Sequence, residues 1–256
     1  MLLITGATGT TGREVVRLLD DRGVAFRAMS RTPTGDQVRG DHTDPASLDR
    51  ALEGVSGLYL VGPGTADLPA YESAVLDAAR RAGVAKVVKL SSIPVGPVAR
   101  WHGPGEEGVR AFPAWAVLRA SLFASNSAQW APLIAAGEPI PNPTGTARLG
   151  VVDPRDLAEV AVAALLGDHG GTYTLTGPEL LDVPEQVAVL ADVLGRPLST
   201  ADVPPDALPP AYAEGARAVR EGGGSVLSDD VAAILGRPPR AYATWVRECF
   251  PGLATT

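Results

Sequence analysis

Ile4-Thr-Gly-Ala-Thr-Gly-Thr-Thr-Gly12 is the stretch of sequence that decides the fold. It follows a short apolar run, residues 1–4, whose length and composition are typical of a buried parallel strand. It precedes residues 13–19, in which the valines and leucines fall on one helical face and the charged residues fall largely off it. The pattern predicts a glycine-rich turn at the point where a strand passes into a helix.

The spacing of the glycines indicates what such a turn would bind. Gly6 permits a tight turn, Gly9 lets a pyrophosphate approach the backbone, and Gly12 lets the helix pack close to the strand. Thr10 and Thr11 lie at the helix N-terminus, where free N–H groups and the helix dipole favour a phosphate. The corner is therefore predicted to bind a dinucleotide.

Arg31 decides which dinucleotide is expected. It follows the predicted second strand, residues 24–30, and no Asp or Glu stands between Val24 and Gly35. An acidic residue there would hold the ribose 2′-hydroxyl of NAD, whereas an arginine accommodates a 2′-phosphate. Ser30 offers a further hydroxyl. The sequence favours NADPH over NADH, the alternative being a solvated surface arginine.

The ends of the next predicted strands supply further candidates. Asp41 ends a short third strand, residues 38–41, at the depth expected for the adenine ring, although it could equally cap a turn. The fourth strand, residues 57–62, is stopped by Pro63 at the carboxyl edge, where ligands bind in such folds. Ser91 closes a fifth strand that begins at Lys86.

Strands and helices alternate through residue 119, where a sixth strand, residues 115–119, ends. Between the fifth and sixth strands the Gly- and Pro-rich residues 93–113 predict a loop, with a helix beginning near Gly105. The alternation predicts an α/β protein with a Rossmann-type, doubly wound parallel sheet. Residues 1–150, with contributions from residues 151–176 (a strand at 148–152 included), are expected to form the NAD(P)-binding domain, and residues 177–256 a smaller, mostly helical lobe over the substrate cleft.

Composition excludes several classes of function. A net charge of −7 argues against broad nucleic-acid binding, which needs a basic surface. No apolar run reaches membrane-spanning length, and one cysteine excludes an internal disulfide or a thiolate metal cluster. The three histidines lack metal-ligand spacing. We expect a soluble cytoplasmic protein, monomeric or homodimeric, with a small-molecule substrate and without metal, membrane or nucleic-acid partners.

The chain resembles the NmrA-like family of atypical short-chain dehydrogenase/reductases, which includes NADPH-dependent quinone reductases. The resemblance begins with Gly6-x-x-Gly9-x-x-Gly12, which differs from the Gly-x-Gly-x-x-Gly of ordinary dehydrogenases. It continues in order through Ser30-Arg31, Gly40-Asp41, residues 44–48, His102-x-x-x-Glu106, residues 115–119, Asn126, residues 152–158, residues 173–179, residues 194–196 and residues 235–239. It implies a Rossmann-type NADP-binding protein with a smaller C-terminal substrate-binding lobe.

The candidate cofactor contacts lie in the glycine-rich corner and after the predicted strands. They are Gly6, Thr8, Gly9, Thr10, Thr11, Gly12, Ser30, Arg31, Asp41, Val61, Gly62, Pro63, Ser91, Leu122 and Phe123. The expected cofactor is NADPH/NADP.

The source of a catalytic proton is less evident. Reductases of the wider superfamily use a Tyr-x-x-x-Lys pair, but no tyrosine stands at that distance before Lys86 or Lys89. His102 is the candidate donor, since its unperturbed pKa lies near neutrality, and Glu106, four residues on, would orient it on a helix. Ser91 is the third catalytic candidate. Structural roles, a loop histidine and a glutamate favoured by the helix dipole, are the alternative.

Three functions are compatible with these features. The first is an NADPH-dependent oxidoreductase that passes hydride to a quinone, enone or ketone, a class that includes bulky aromatic secondary metabolites. The second is a redox-neutral tailoring enzyme, such as a cyclase or epimerase, and the third is a non-catalytic NADP-binding redox sensor. Of these acceptors, quinones depend least on the proton donor that a Tyr-x-x-x-Lys pair would supply, because aromatisation stabilises their reduced product.

Overall fold

A seven-stranded sheet forms the centre of the first part of the chain. The computed structural model describes residues 1–250, apart from the side chain of Ala211. The sheet strands are β1 (Leu2–Ile4), β2 (Phe26–Ser30), β3 (Val38–Arg39), β4 (Gly57–Leu60), β5 (Lys86–Ser92), β6 (Ala114–Ala120) and β9 (Gly171–Leu175). Their order is β3-β2-β1-β4-β5-β6-β9.

The strands around β1 are parallel, and successive strands of the chain are added on one side of β1 and then on the other. Leu3 pairs with Arg27 of β2 on one side and with Leu58 of β4 on the other, both in parallel. Because the strand order runs outward from β1 in both directions, the sheet is doubly wound. The predicted Rossmann-type α/β fold is confirmed.

Ten α-helices and two 3-10 turns complete the described residues. The helices are α1 (Gly12–Asp21), α2 (Pro45–Leu52), α3 (Leu68–Arg81), α4 (Pro97–Val109), α5 (Ala131–Ala136), α6 (Pro154–Leu166), α7 (Val183–Leu194), α8 (Pro210–Arg220), α9 (Asp230–Leu235) and α10 (Tyr242–Cys249). The 3-10 turns are residues 124–130 and 205–207. α2 begins with a capped N-terminus, in which the Asp44 side chain accepts from the Ser47 N–H and Pro45 lies in the first turn.

The chain divides into two compact units. The first contains Met1–Ser92, Ala99–Arg119 and Leu157–Thr174. Its core packs buried side chains of β1, β4 and β5, such as Leu3, against helical residues such as Val75. The second contains Ile93–Val98, Ala120–Asp156 and the chain from Leu175 onward. The functional domains expected at residues 1–150 and 177–256 stay a prediction.

The second unit contains two small sheets besides its helices. β7 (Ile140–Asn142) pairs in parallel with β11 (Thr200–Asp202), and β8 (Leu149–Gly150) pairs antiparallel with β10 (Leu180–Leu181). Each strand is at most three residues long. Such short strands give almost no alternation pattern, so most of them escape sequence analysis.

Several predicted boundaries differ from the structure. β3 ends at Arg39 instead of Asp41, because Asp41 turns the chain toward α2. The strand expected at residues 148–152 is reduced to β8, with Val152 forming an isolated bridge to Phe123. α4 begins at Pro97 instead of near Gly105. Among the described residues, no helix is long and apolar enough to cross a membrane.

Candidate functional site

The glycine-rich corner between β1 and α1 has the geometry that its sequence predicts. Gly6 has a φ of +58°, a conformation that favours glycine. The Gly9 N–H donates to the Gly6 carbonyl at 2.9 Å, which closes the turn, and the Arg13 N–H donates to the Gly9 carbonyl at 3.1 Å. A Cβ on Gly12 would lie 2.0 Å from the Gly6 carbonyl oxygen, so only glycine fits there.

The same corner leaves backbone open at the N-terminus of α1. Thr8 and Gly9 are exposed, Thr10 is half-buried and Thr11 is buried. Thr11 is the N-cap of α1 and makes no side-chain capping hydrogen bond in the described chain; its hydroxyl lies 3.5 Å from that of Tyr59. An exposed glycine turn followed by a helix N-terminus fits a pyrophosphate, which the helix N–H groups and dipole would hold.

The end of β4 is fixed to this corner. The Thr5 hydroxyl lies 2.9 Å from the Val61 carbonyl oxygen and 2.7 Å from the Val61 nitrogen. A Cβ on Gly62 would lie 2.3 Å from Leu68, the first residue of α3. Val61, Gly62 and Pro63 are all half-buried after β4. The structure therefore brings these predicted cofactor contacts beside the glycine turn, at the carboxyl edge of the sheet.

Arg31 follows the end of β2 and is exposed. Within residues 1–250 no protein group makes a hydrogen bond or ion pair with its guanidinium, whereas the neighbouring Ser30 hydroxyl accepts from the Thr32 N–H at 3.2 Å. An exposed guanidinium at this strand end suits a ribose 2′-phosphate.

We expect Arg31→Asp to weaken NADPH binding by about 10- to 100-fold more than NADH binding, because a charge-assisted hydrogen bond contributes about 1.5–3 kcal/mol. Fluorescence titration with each cofactor measures both affinities. Arg50→Asp, with the same change of charge near the end of α2, is the matched control. Equal losses for the two cofactors would contradict the 2′-phosphate assignment.

Asp41 is held by its own loop. One carboxylate oxygen accepts from the Thr43 N–H at 3.0 Å and from the Thr43 hydroxyl at 2.8 Å. These hydrogen bonds hold the pKa of Asp41 below its usual value. The structure thus gives Asp41 the turn-capping role that the sequence left open, and an adenine contact stays a prediction.

Ser91, Glu106 and Arg119 form one half of a polar cluster in the first unit. Glu106 Oε1 accepts from the Ser91 hydroxyl at 2.5 Å, and its two carboxylate oxygens accept from Arg119 Nε at 3.0 and 3.2 Å. Arg119 Nη2 also donates to Oε2 at 2.6 Å. Burial raises the pKa of Glu106, but the hydrogen bonds from Arg119 and Ser91 outweigh burial and the pKa lies below its usual value.

Glu72, Lys89 and His102 form the other half. Lys89 on β5 and Glu72 on α3 are fully buried, and the Lys89 ammonium donates to Glu72 Oε1. Lys89 Nζ also lies 3.3 Å from the Leu90 carbonyl oxygen and 3.2 Å from His102 Nδ1. Glu72 Oε2 has no hydrogen-bond partner among the described residues, so its carboxylate depends on Lys89. These six residues are called the polar cluster below.

The structure differs from the predicted pairing of His102 and Glu106. Lys89 contacts His102, and Glu106 instead binds Ser91 and Arg119. Burial first, and then the Lys89 charge, lower the pKa of His102 to about 4, against a smaller upward effect of the Glu106 charge. At neutral pH His102 is therefore an uncharged imidazole.

This pKa makes stability depend on pH. The unfolded chain binds a proton at His102 below about pH 6.5, and the folded chain binds it only near pH 4, so stability falls as pH drops through that window. Between about pH 7 and about pH 5, we expect His102 to account for a loss of up to about 2 kcal/mol in the free energy of unfolding. Urea unfolding of the wild type and His102→Gln at both pH values measures the difference; equal losses in the two proteins would contradict it.

Three members of the polar cluster were missed as site residues: Glu72, Lys89 and Arg119. Lys89 gave a signal, since it stands between Val88 and Leu90 in an apolar strand, and a buried lysine needs an acidic partner. The partner on α3 is not readable from sequence.

Two predicted cofactor contacts lie in the second unit. Leu122 and Phe123 are half-buried, the Leu122 carbonyl accepts from the Val152 N–H at 2.8 Å, and Phe123 bridges to Val152. Their contact with cofactor stays a prediction.

Two known proteins with similar sequences are named as reductases. The chain is 37% identical over 279 residues to the (4-alkanoyl-5-oxo-2,5-dihydrofuran-3-yl)methyl phosphate reductase of Streptomyces griseus, with 97% of each chain covered. It is 33% identical to the NAD(P)H azoreductase of Xenophilus azovorans over 215 residues, which cover 77% of this chain and 75% of the azoreductase.

A solved structure shows the same fold. The NADPH-dependent quinone oxidoreductase of Escherichia coli, in complex with NADPH, superposes with a TM-score of 0.86 at 23% identity, covering 98% of this chain and 100% of that protein.

A family assignment follows from a match over more than half of the chain. The NAD(P)H-binding family matches residues 6–166, which run from the first glycine of the corner to the end of α6. This match confirms the predicted NADPH/NADP cofactor at the level of NAD(P)H. The chain therefore belongs to the NAD(P)H-binding family, in agreement with its predicted resemblance to the NmrA-like short-chain dehydrogenase/reductases.

Proposed function

We propose that this protein is an NADPH-dependent reductase that transfers hydride to a quinone or an enone. The observation that carries the proposal is the corner at Gly6–Gly12, where an exposed glycine turn meets the N-terminus of α1 and fits a pyrophosphate. Arg31 at the end of β2 supports the 2′-phosphate form of the cofactor. One relative is named as a reductase and another as an NAD(P)H azoreductase, which supports NAD(P)H-dependent oxidoreduction.

The names of the relatives favour a conjugated acceptor. The Streptomyces griseus reductase is named for a 4-alkanoyl-5-oxo-2,5-dihydrofuran, in which the ring double bond bears two carbonyl groups. The Xenophilus azovorans enzyme is named for azo reduction. Both acceptors are conjugated double bonds that take up hydride readily. A conjugated quinone or enone is therefore a better candidate for this chain than an isolated ketone.

The polar cluster is consistent with such an acceptor. When bound, the cofactor supplies the hydride. We infer that the chain works without a Tyr-x-x-x-Lys pair, because the Lys89 ammonium is engaged by Glu72, Leu90 and His102. The Ser91 hydroxyl is engaged by Glu106, and His102 is uncharged at neutral pH. A strong protein acid is thus missing from the six residues of the cluster, and quinones and enones need one least.

Loss of reduced-nicotinamide absorbance tests the proposal. NADPH and then NADH would be offered with a matched panel of quinones, enones and isolated ketones. Turnover with NADPH on quinones or enones, and little on ketones, is expected. Tight NADPH binding without turnover on any acceptor would replace the proposal by the redox sensor. A product of unchanged oxidation state would replace it by the tailoring enzyme.

A further inference from the structure

The surroundings of Lys89 determine where its protons point. An ammonium has three N–H donors and no acceptor. Three acceptors surround Lys89 Nζ: the Glu72 carboxylate, the Leu90 carbonyl oxygen at 3.3 Å and His102 Nδ1 at 3.2 Å. Burial lowers the pKa of Lys89, but the Glu72 carboxylate counteracts this. Donors and acceptors match in number when Lys89 is charged and Glu72 is ionised.

This match fixes the tautomer of His102. Because Lys89 donates to Nδ1, that nitrogen must be unprotonated, and the proton of the neutral ring must lie on Nε2. The charged groups that act on the ring are Lys89 on β5 and Glu106 on α4. Glu106 is already engaged by Ser91 and Arg119, so it does not compete for Nδ1.

α4 packs tightly against Glu72 and Lys89 at Gly105. A Cβ on Gly105 would lie 1.7 Å from Glu72 Oε2 and 3.1 Å from Lys89 Cε. The helix can therefore bring His102 against the ion pair only because residue 105 is glycine. Glu72 and Gly105 thus both allow α4 to pack where His102 contacts Lys89.

We propose that Lys89, held by Glu72, is a positioning residue that keeps His102 as the neutral Nε2–H imidazole, and that His102 donates a hydrogen bond, but not a proton, to the oxygen of the acceptor. The catalytic half of this inference rests on the proposed function. The tautomer itself does not.

The chemistry of the acceptor follows from such a donor. Hydride from the reduced cofactor carries two electrons to the acceptor: a C–H bond of the nicotinamide breaks, a bond to hydrogen forms on the acceptor, and the cofactor leaves oxidised. A quinone becomes a hydroquinone monoanion and an enone becomes an enolate, each of which then takes a proton from water. A neutral N–H donor can stabilise these delocalised oxyanions. An alkoxide from an isolated ketone is far more basic and needs a full proton transfer.

Nitrogen-15 NMR of the histidine rings tests the tautomer in the wild-type protein. We expect His102 to show a protonated Nε2 and an unprotonated Nδ1, unchanged between about pH 5.5 and about pH 8, since its pKa lies near 4. His102→Gln assigns the signals, and His42 and His169 serve as internal references. An imidazolium at neutral pH, or a proton on Nδ1, would overturn the inference.

A double variant, Glu72→Leu with Lys89→Met, tests the cause. Replacing a buried ion pair by apolar residues is often neutral for stability, whereas Lys89→Met alone would leave Glu72 buried and uncompensated. In the double variant we expect His102 to sample both tautomers and its pKa to rise from about 4 only part of the way toward 6.5, because burial, the larger cause of the lowered pKa, remains. A His102 that keeps the wild-type tautomer and titration would show that Lys89 does not position it.

Kinetics of the same proteins separate the two proposals. With wild type and a quinone we expect kcat to stay constant between about pH 5.5 and about pH 8. With the double variant we expect kcat to fall in proportion to the fraction of His102 that lacks the Nε2–H, which is about twofold for an equal mixture of tautomers. A wild-type kcat that follows an acid of pKa near 6.5 would overturn the inference while the reductase stands. Absence of turnover on every acceptor would overturn the proposed function and the catalytic role, and the NMR result would still decide the tautomer.

Discussion

Gly12→Ala is expected to weaken NADPH binding by at least about 100-fold, equivalent to about 2.7 kcal/mol. The new Cβ would lie 2.0 Å from the Gly6 carbonyl oxygen and 2.7 Å from the Gly6 carbonyl carbon, which are backbone atoms without a rotamer to move aside. The turn and the first turn of α1 must therefore separate. That displacement moves the backbone N–H groups predicted to hold the pyrophosphate. Fluorescence titration with NADPH measures the loss.

Gly215→Ala is the matched control for this prediction. Gly215 also lies within a helix, α8, but a Cβ there would meet nothing within 4 Å. Alanine is a better helix former than glycine, so we expect unchanged NADPH binding and a gain of about 0.5–1 kcal/mol in stability. If Gly12→Ala bound NADPH as tightly as Gly215→Ala does, the assignment of the corner to the cofactor would be wrong.

Glu106→Ala is expected to lower the free energy of unfolding by about 3 kcal/mol, the lower end for removing one partner of a buried ion pair. Glu106 is 8% exposed and Arg119 is 30% exposed, so the guanidinium left behind regains some water. The variant also removes the acceptor of the Ser91 hydroxyl, which is buried. Urea denaturation at neutral pH measures the change.

The adjacent residue supplies the control. Glu107 lies on the same helix and pairs with Arg110, but its side chain is 78% exposed. Solvent screens such a pair, so we expect Glu107→Ala to change stability by less than about 0.5 kcal/mol. Similar losses in the two variants would mean that the Glu106–Arg119 pair contributes no more than a surface contact.

Helix boundaries were predictable where local signals agree. α7, at Val183–Leu194, carries such signals at both of its ends. Asp182 forms a capping box with Glu185, and Gly195 ends the helix in the left-handed conformation. Start and stop signals lie within the sequence of the helix itself, so no distant contact is needed to find them.

α4 shows the opposite case. Gly103 and Pro104 indicate a loop, and a helix was expected only from near Gly105, yet α4 runs from Pro97 to Val109 with Pro104 inside it. Gly105 is there because α4 packs on Glu72, which belongs to another helix. A contact between elements overrides local propensity, and a single sequence does not reveal it.

The candidate site also has one part that local sequence predicts and one part that it does not. The cofactor corner was predictable because Gly6, Gly9 and Gly12 are close in sequence and their geometry is local. The polar cluster was not, because Glu72 and Lys89 meet across α3 and β5. The spacing of His102 and Glu106 predicted a pair on one helix face. In the structure both residues instead contact side chains on the strands of the sheet.

The burial of Lys89 also makes it a chemical reporter of local opening. An acylating reagent attacks an uncharged amine that it can reach, and the Lys89 ammonium is charged, enclosed and bonded to three acceptors. Lys86, the only other lysine, is half-buried and serves as an internal reference on the same strand. The extent of Lys89 acylation, measured by mass spectrometry, would therefore report the opening of α4 away from β5 without an engineered label.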